Sequence, residues 1–293
     1  MRFLLLGGSG QVGTELQAQS LPHGVEVVAP HELDLADHDA LDSVIAEGPW
    51  SAVINAAAYT DVDRAESEEA KALAVNGEAP ARLAAATSHL GIPLVHISTD
   101  YVFDGRKGTA YVESDTPSPL NAYGRTKLAG EQAVAANNPR HLIVRTSWVY
   151  SPYRRNFVRT ILRLANERDR LTIVADQRGC PTAAQDVANV CLSLALRCAA
   201  NRENGPYGLY HFAGSGEATW HELAKTIVEL ARLPRSIEVV PIRTEDYPTP
   251  AKRPANSRLD CSALDRAFHI KARPWREALK DTLDRLLAIK ATP

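Results

Sequence analysis

The first eighteen residues carry the pattern that most restricts what this chain can fold into. An apolar run at residues 3–6 has the length of a strand, glycines follow at positions 7, 10 and 13, and residues 14–18 have a helical composition. A strand, a glycine-rich turn and a helix in this order are the setting in which an α/β sheet binds a dinucleotide. Gly7 permits a tight turn, Gly10 lets the backbone approach a pyrophosphate, and Gly13 permits close packing of helix on strand. The chain is therefore expected to begin with a dinucleotide-binding unit.

Strand-like and helix-like segments then alternate along the chain. The predicted strands lie at 25–29, 52–55, 92–97, 141–146, 171–174, 209–212 and 237–240, and the predicted helices at 37–47, 61–76, 77–90, 123–134, 156–166, 183–199, 220–232 and 275–289. Such alternation is typical of a parallel sheet with helices on both faces. We expect an α/β fold in which residues 1–150, with returning segments from about 171–200, form a Rossmann-type doubly wound parallel sheet. Residues 151–293 are expected to form mainly a smaller, mixed α/β C-terminal substrate-binding region.

The composition limits the classes of function that are open to the chain. Of its 293 residues 45% are hydrophobic and 23% are charged, and the formal net charge is -2. A chain without a strongly basic field or a charged tail gives no support to a role in binding nucleic acid or membrane surfaces. The apolar run at 3–6 is too short for a signal peptide or a membrane span, and the four cysteines form no CxxC pair. We therefore expect a cytoplasmic protein with reduced thiols.

Tyr123 and Lys127 stand four residues apart in a segment that is predicted to be helical, with Asn121 as its N-cap. At this spacing both side chains leave the same face of the helix. A phenol titrates near pH ~10, and an adjacent ammonium favours the phenolate and lowers that pKa. The pair is therefore a candidate acid/base device, although Tyr and Lys at this spacing also occur on amphipathic surfaces with a snorkelling lysine.

A group of polar residues follows the strand predicted at 92–97. Ser98, Thr99 and Asp100 fall at the carboxyl end of that strand, where an open parallel sheet gathers its ligands. Neighbouring strand residues point to opposite faces, so Ser98 and Thr99 are expected to have different roles. A hydroxyl that orients a carbonyl, a tyrosine that donates a proton and a lysine that lowers the tyrosine pKa together suit hydride transfer.

The choice of cofactor is open at the end of the second predicted strand. An acid about 20 residues past the glycines would favour NAD, but positions 29–31 are Ala, Pro and His. Arg2 or His31 facing a 2′-phosphate would favour NADPH, and Asp34 with Leu35 is expected to line the adenine pocket. Three alanines at 56–58 follow the third strand and leave room either for a ligand near the backbone or for tight helix packing.

Trp148 and several arginines are candidates for contact with a substrate. Trp148 follows the strand at 141–146, where an indole is either a core residue or a ligand contact. The loop at 241–259 is long enough to indicate a functional or a disordered segment, and its cations are Arg243, Lys252, Arg253 and Arg258. Arginine can bind a phosphate with two hydrogen bonds, so this loop suits a diphosphate. We interpret Arg154 and Arg155 as a solvated pair, with phosphate contact as the alternative.

Taken together, the motifs resemble the extended short-chain dehydrogenase/reductase superfamily and, within it, the dTDP-4-dehydrorhamnose reductase family. They are Gly7-Gly-Ser-Gly-Gln-Val-Gly13, Asn55-Ala-Ala-Ala-Tyr-Thr60, Ile97-Ser-Thr-Asp-Tyr-Val-Phe-Asp-Gly105, Tyr123-Gly-Arg-Thr-Lys-Leu-Ala-Gly-Glu131, Arg145-Thr-Ser-Trp-Val-Tyr150, Asp176-Gln-Arg-Gly-Cys-Pro-Thr182 and Arg253-Pro-Ala-Asn-Ser-Arg-Leu259. They cover almost the whole chain, and the last two distinguish this family from generic epimerases and dehydratases.

This resemblance implies an NAD(P)H-dependent enzyme that reduces the C4 ketone of dTDP-4-dehydro-6-deoxy-L-mannose to dTDP-L-rhamnose. It implies that Thr99, Tyr123 and Lys127 are the catalytic residues. The residues that it implies for binding NADPH or NADH are Gly7, Gly10, Gln11, Val12, Gly13, Asp34, Leu35, Ala57, Ala58, Tyr59, Tyr123 and Lys127. Those that it implies for contact with the dTDP-linked 4-keto-6-deoxy sugar are Thr99, Asp100, Trp148 and Arg253.

Two other functions stay open beside this reductase. An enzyme that reduces or epimerises another nucleotide-linked sugar would share most of the motifs. A non-catalytic protein is the second alternative, because the same family resembles the regulatory subunit of methionine adenosyltransferase, which binds a dinucleotide and a partner enzyme. The complete set of Thr99, Tyr123 and Lys127 argues against that alternative, since a binding module needs no tuned phenol.

The resemblance also raises the question of a metal at a subunit interface. Some members of the family dimerise around Mg2+ that acidic side chains hold, which makes a homodimer possible here. Glu15 matches one such ligand, but Gln185 stands where another is expected. The sequence therefore gives little support to Mg2+, and no metal ligands are predicted.

Overall fold

The computed structural model describes residues 1–31 and 33–291 of the chain. Its strands are β1 Arg2–Leu6, β2 Glu26–Val28, β3 Ala52–Asn55, β4 Leu94–Thr99, β5 His141–Thr146, β6 Val149–Tyr150, β7 Arg170–Val174, β8 Arg178–Gly179, β9 Thr182–Ala183, β10 Gly208–His211, β11 Ala218–Thr219 and β12 Glu238–Ile242. Its α-helices are α1 Gln11–Ser20, α2 His38–Ala46, α3 Glu69–Leu73, α4 Ala79–His89, α5 Ala122–Asn137, α6 Phe157–Glu167, α7 Ala184–Ala200, α8 Trp220–Ala231, α9 Ser262–Phe268 and α10 Trp275–Ala291.

A six-stranded sheet forms the centre of the molecule. Its order is β2-β1-β3-β4-β5-β10, and every neighbouring pair of strands is parallel. The chain moves outward from β1 to β2 and then returns to the other side of β1 with β3, so the strand order reverses between β1 and β3. In open parallel sheets ligands bind in the crevice outside the carboxyl ends of the strands at such a reversal. The predicted doubly wound parallel α/β fold is confirmed.

Both faces of this sheet are buried, which explains why its strands are continuously apolar. Phe3 and Leu5 of β1 point into a core that α1, α7 and α9 close, whereas Leu4 and Leu6 point into a core that α2, α4 and α5 close. These side chains are at most 1% exposed. The sheet is thus a packed middle layer, and the ends of its strands have fixed positions relative to one another.

A third apolar core lies between α6, α8 and α10. Val158 and Ile161 of α6, Leu223 of α8 and Leu279 of α10 are among its buried members, and the short pairings of β6 with β9 and β7 with β12 contribute to it. Helix α7 packs on α1, and β10 pairs with β5, so both return to the central sheet after residue 150. The division of the chain at about residue 150 stays a prediction.

The segment before β4 differs from the two helices that the sequence predicts. Residues 61–68 contain a single short helical turn at Arg64–Glu66, and the Asp61 carboxylate accepts a hydrogen bond from the backbone N–H of Arg64 at the start of this turn. Helix α3 then continues into α4 through one π-helical turn at Ala74–Glu78. The predicted helix start at Asp61 and the predicted break after Asn76 are therefore wrong.

Two further expectations concern the whole chain. Among the described residues, no helix combines the length and the apolar character that a membrane span requires. The four cysteines are free thiols in the structure, as the sequence analysis predicts.

One α-helix was not predicted at all: α9 forms at Ser262–Phe268, where Leu264 and Phe268 lie four residues apart and pack against the core of the sheet.

Candidate active site

A cavity of about 1020 Å³ opens at the carboxyl edge of the sheet. The turns after β1 and β3, the ends of β4 and β5, the first turn of α5 and residues of α6 and α8 surround it. It therefore lies at the reversal of strand order, between the sheet and the third core. Of the predicted site residues, the cavity is lined by Gly7, Gly10, Gln11, Val12, Ala57, Ala58, Thr99, Asp100, Tyr123, Lys127, Trp148 and Arg253.

The glycine turn has the shape that a dinucleotide requires. Gly7 has φ +78°, and a Cβ atom on it would lie 2.6 Å from the backbone nitrogen of Ala57 in the turn after β3. A Cβ atom on Gly13 would lie 2.1 Å from the carbonyl oxygen of Gly7, so Gly13 lets α1 pack against the turn. Gly10 is the N-cap of α1. A bare backbone and a helix N-terminus thus face the cavity, and these residues fit the pyrophosphate of a nicotinamide dinucleotide.

Besides Gly13, three residues predicted for the cofactor lie outside the described lining of the cavity. Asp34 accepts a hydrogen bond from the N–H of Ala36, and Leu35 is buried in the core that α2, α4 and α5 close. The Tyr59 hydroxyl donates to Glu68 at 3.0 Å. A cofactor contact for Asp34, Leu35 and Tyr59 therefore stays a prediction.

Arg2 cannot have the cofactor role that the sequence analysis allowed. It is the first residue of β1, so it lies at the amino edge of the sheet, opposite to the glycine turn that follows Leu6. Its guanidinium donates to Glu26 at 3.0 Å and lies 4.9 Å from the centre of the Trp50 ring. The expectation for Arg2 is wrong because the amino end of a parallel strand lies at the edge opposite to the ligand site.

Helix α5 brings Tyr123 and Lys127 to the cavity as the spacing predicts. The helix begins after Asn121, whose side chain accepts a hydrogen bond from the N–H of Gly124 at 2.8 Å. A Cβ atom on Gly124 would lie 2.2 Å from the carbonyl oxygen of Tyr101, so this glycine allows α5 to approach the loop after β4. The backbone of the first turn of α5 therefore packs directly against the loop after β4, close to Thr99.

The electrostatics of the Tyr123–Lys127 pair differ from the expectation. Burial raises the pKa of Tyr123 to about 12, although a hydrogen bond with Thr99 acts in the opposite direction. Burial also lowers the pKa of Lys127 to about 8, against the attraction of Glu131. The predicted lowering of the tyrosine pKa is not found, because desolvation of the buried phenol outweighs the hydrogen bond with Thr99.

The end of β4 separates its hydroxyls as strand alternation predicts. Both residues line the cavity, but the Thr99 hydroxyl donates to Asp100 Oδ1 at 3.0 Å, whereas the Ser98 hydroxyl donates to the buried Glu131. Burial raises the pKa of Asp100 to about 7, although hydrogen bonds from neighbouring groups, Thr99 among them, favour its charged form. The cavity thus contains a hydroxyl, a carboxyl group and a phenol within one short stretch of surface.

An indole pair forms another wall of the cavity. Trp148, with φ +49°, stacks on Trp220 with ring centres 3.5 Å apart and an angle of 4° between the planes. Its Nε1 donates to the hydroxyl of Ser257 at 3.2 Å. A Cβ atom on Gly179 would lie 2.3 Å from the Trp148 ring, so a glycine is required behind it. Trp220 was not predicted as a site residue, because no sequence motif surrounds it at the start of α8.

The arginines of the site have partners within the protein. Arg253 lines the cavity and its guanidinium donates to Asp63 at 2.8 Å. Arg154 and Arg155 also line the cavity, and Arg154 donates to the carbonyl oxygen of Ser9 beside the glycine turn. Of the other loop cations, Arg243 and Arg258 pair with Glu245 and Glu217 and Lys252 is exposed. Positive charge therefore flanks the cavity on two sides.

The residues around Glu15 do not fit a divalent metal. Glu15 is 1% exposed, and the guanidinium of Arg285 lies 2.9 Å from its Oε1. The same guanidinium donates to Gln185 at 3.1 Å. Within the part of the chain that the structure describes, no group of three or more His, Cys, Asp or Glu side chains could hold a metal ion. Arg285 supplies the positive charge at the place where Mg2+ would be expected.

The doubly wound sheet, the glycine turn and the pair of Tyr123 and Lys127 beside Thr99 define the class of the extended short-chain dehydrogenases/reductases. More narrowly, the chain belongs to the family described as "RmlD substrate binding domain", whose model matches residues 1–288. The family resemblance found in the motifs is thereby confirmed.

Known relatives extend over nearly the whole chain. A dTDP-4-dehydrorhamnose reductase of Sinorhizobium fredii is 44% identical over 284 residues, which is 96% of either chain. A crystal structure of a dTDP-4-dehydrorhamnose reductase from Clostridium acetobutylicum superposes with a TM-score of 0.91 at 38% identity, covering 98% of this chain and 100% of the other. Another, from Bacillus anthracis in complex with NADP, has a TM-score of 0.90 at 34% identity and covers 97% and 99%.

Proposed function

We propose that this protein reduces the C4 ketone of dTDP-4-dehydro-6-deoxy-L-mannose to dTDP-L-rhamnose with NADPH or NADH. The observation that carries the proposal is the cavity in which Thr99, Tyr123 and Lys127 meet the glycine turn. Full-length similarity to proteins named dTDP-4-dehydrorhamnose reductase supports the choice of substrate.

The proposed reaction needs a hydride and a proton. A reduced nicotinamide dinucleotide supplies the hydride when it is bound along the turn from Gly7 to Val12 and the alanines after β3. Tyr123 donates its proton to the C4 oxygen as that oxygen gains negative charge. Its pKa of about 12 keeps the phenol protonated at neutral pH, so the donor is ready before the reaction begins. Thr99 orients the same oxygen, and Lys127 restores the proton that Tyr123 has lost.

The walls of the cavity suit a nucleotide-linked sugar. The flat surface of Trp148 and Trp220 can pack against a deoxysugar or a base, whose faces are apolar. Asp100 is placed to accept a hydrogen bond from a sugar hydroxyl. Arg253 and the pair Arg154 and Arg155 offer positive charge to a diphosphate. The position of each side chain in the cavity supports these proposed roles of Asp100, Trp148 and Arg253.

The choice between the two cofactors is the finer part of the proposal. The Bacillus anthracis relative was crystallised with NADP, which supports NADPH for this chain. After the correction for Arg2, His31 is the remaining candidate for a contact with a 2′-phosphate. We propose NADPH or NADH, with the reaction in the cytoplasm and with a homodimer as the expected assembly.

A coupled assay tests the proposed function. The purified protein is mixed with the 4-keto sugar nucleotide and with NADPH or NADH in turn, and cofactor oxidation and the sugar product are followed together. We expect one mole of dTDP-L-rhamnose for each mole of cofactor oxidised. Conversion to another keto sugar without net oxidation would indicate an epimerase and would contradict the proposal. Cofactor binding without turnover would point instead to a non-catalytic role.

A further inference from the structure

A chain of buried polar side chains runs behind the cavity from β3 to α5. Asn55, the last residue of β3, lies in register beside His96 of β4, and the His96 ring faces Lys127. Asn55 and His96 are 0% exposed and Lys127 is 2% exposed. The proposed reaction gives no role to Asn55 or His96. Buried polar groups are costly unless they are hydrogen-bonded, so the direction of each hydrogen bond in this chain is informative.

The amide of Asn55 has one allowed orientation. Its Oδ1 accepts a hydrogen bond at 3.2 Å from the backbone N–H of Ala57, a donor that cannot be reversed. The Nδ2 group of the same amide therefore faces Nδ1 of His96, at 3.1 Å. An amide nitrogen donates and does not accept, so Nδ1 of His96 is the acceptor. In the neutral ring the proton must then be on Nε2.

This tautomer directs a donor at the lysine. Nε2 of His96 lies 3.5 Å from Nζ of Lys127, and Nζ also donates to the carbonyl oxygen of Ile97 at 2.7 Å. An ammonium has three donors and no acceptor, so it meets the Nε2–H donor to donor. A neutral amine has a lone pair that can accept this hydrogen bond. The contact therefore favours the amine form of Lys127 over the ammonium form.

We propose that His96, held in its Nε2–H tautomer by Asn55, is a positioning residue that eases the release of a proton from Lys127. The inference rests on the proposed reduction, because Tyr123 gives up a proton in each turnover and must regain one. Tyr123 and Lys127 lie one helical turn apart on α5, so the lysine is placed to supply it. The N–H bond of the ammonium breaks, the O–H bond of Tyr123 forms, and the lysine regains its proton from solvent.

The other charged groups around Lys127 do not account for this effect. Glu131, one turn further along α5, favours the ammonium, but Arg145 of β5 binds both of its carboxylate oxygens. On β3 the nearest polar side chain of this chain of contacts is the uncharged amide of Asn55, which touches His96. His96 itself stays neutral, because burial and the positive charge of Lys127 hold its pKa well below the ordinary value. Burial lowers the pKa of Lys127 to about 8, which is the direction that the tautomer also favours.

A second buried imidazole provides an internal control. Nδ1 of His211 lies 3.1 Å from the carbonyl oxygen of Tyr111, an atom that only accepts, so Nδ1 carries the proton. The lone pair on Nε2 then faces Nη1 of Arg145 at 3.5 Å, which suits a cation. His96 and His211 each face a buried cation, yet their hydrogen bonds require opposite tautomers.

Histidine ring NMR on the full-length protein without cofactor tests the proposal directly. The ring nitrogens of 15N-labelled wild-type protein report which nitrogen carries the proton, after assignment through the backbone. We expect the proton on Nε2 of His96 and on Nδ1 of His211. A proton on Nδ1 of His96 would overturn the proposal. This result does not depend on any substrate, so it is independent of a failure of the proposed reduction.

The variant Asn55→Asp is designed to reverse the tautomer. One oxygen of the introduced carboxylate can still accept from the N–H of Ala57, while the other requires a donor on Nδ1 of His96, so that Nε2 becomes an acceptor for the ammonium. We expect the proton of His96 to move to Nδ1 and the pKa of Lys127, followed by 13C NMR of its Cε, to rise from about 8. A rise of roughly one unit or more is expected from the reversed contact and the added charge together. A raised pKa with an unchanged tautomer would contradict the role of His96, and if the variant does not fold, the wild-type tautomer decides.

Discussion

Two buried cations lie behind the catalytic edge of the sheet, and they differ in their partners. Arg145 of β5 donates to Oε1 and Oε2 of Glu131 at 2.8 and 2.6 Å, and the Phe103 ring lies 5.0 Å from its guanidinium carbon. Lys127 of α5 is bound by a carbonyl oxygen and faces an imidazole, and no carboxylate pairs with it among the described residues. Both side chains are at most 3% exposed. Two equally buried cations thus have different environments: Arg145 is held in an ion pair, and Lys127 is not.

The difference shows that one buried cation stabilises the fold and the other is available for proton transfer. The Arg145–Glu131 pair joins β5 to the middle of α5, and Ser98 of β4 donates to the same carboxylate. Earlier along α5, Asn76 donates to the Thr126 hydroxyl from the π-helical turn. These contacts fix the helix, so its first turns can hold Tyr123 and Lys127 without an ion pair of their own. Because Glu131 pairs with Arg145, it does not form an ion pair with Lys127, which would hold the proton on the lysine more strongly.

The largest predicted effect is the loss of folding stability in Arg145→Met. This substitution leaves Glu131 buried without its cation, and breaking a buried pair in this way costs roughly 3–5 kcal/mol. Denaturant unfolding of wild type and variant measures the change in the free energy of unfolding. A loss of less than about 1 kcal/mol would show that the pair does not hold β5 to α5 as the comparison requires.

The matching substitution Lys127→Met should affect the reaction and not the fold. Methionine has a similar length and removes an ammonium whose burial is unfavourable, but it also removes the donor to the carbonyl oxygen of Ile97. These effects oppose each other, so we expect the free energy of unfolding to change by less than about 2 kcal/mol. Turnover should fall by roughly 10²-fold or more, because the proton supply to Tyr123 is lost. Steady-state kinetics and denaturant unfolding on the same preparation check both parts. A loss of stability like that of Arg145→Met would contradict the distinction between the two cations.

The pH dependence follows from the lowered pKa of Lys127. Its value of about 8 in the folded protein lies below the ordinary 10.5, so the unfolded chain binds more protons between these two values. The contribution of Lys127 to the free energy of unfolding should therefore rise as the pH rises from about 8 toward 10.5, and should be constant below 8. The rate of reduction should fall above pH 8 as the ammonium is lost.

Subtracting the pH profile of the stability of Lys127→Met from that of wild type isolates the contribution of Lys127. An identical slope of stability against pH in wild type and Lys127→Met would contradict the lowered pKa.

The smallest predicted effects concern cations nearer to solvent. Arg253→Met should raise KM for the sugar nucleotide roughly tenfold with little change in kcat, because it removes charged hydrogen bonds to the proposed diphosphate. Arg243→Met is its matched control in the same loop: its side chain is 76% exposed, so stability should change by less than about 0.5 kcal/mol and KM should not change. A kcat effect in Arg253→Met, or equal KM effects in both variants, would contradict the proposed contact.

Much of the fold could be predicted from local sequence patterns. The bounds of β3 and β5 agree with the apolar runs at 52–55 and 141–146, and α5 begins after Asn121 as its capping role predicts. These elements have strong signals because their residues interact with near neighbours in the chain. The predicted helix start at Asp61 is wrong. Helical composition does not tell that this segment forms only a short turn at Arg64–Glu66 before α3 begins.

The candidate site could be predicted most directly where its residues follow a strand or share a helix. Thr99, Tyr123 and Lys127 were found in this way. The stacking of Trp220 on Trp148 and the pairing of Arg285 with Glu15 join residues 72 and 270 positions apart, and no local pattern encodes such contacts. The rise in the pKa of Tyr123 could not be predicted from the sequence either, because it depends on how deeply the fold buries the phenol.

The measurement that tests the account most directly is the turnover of Tyr123→Phe with the 4-keto sugar nucleotide and NADPH. Phenylalanine keeps the ring and removes the proton, so kcat should fall by roughly 10²–10⁴-fold while cofactor affinity and stability stay close to wild type. That result would identify Tyr123 as the proton donor in the cavity. A variant that reduces the keto sugar at a rate near that of wild type would contradict the central claim, because another group would then have to donate the proton.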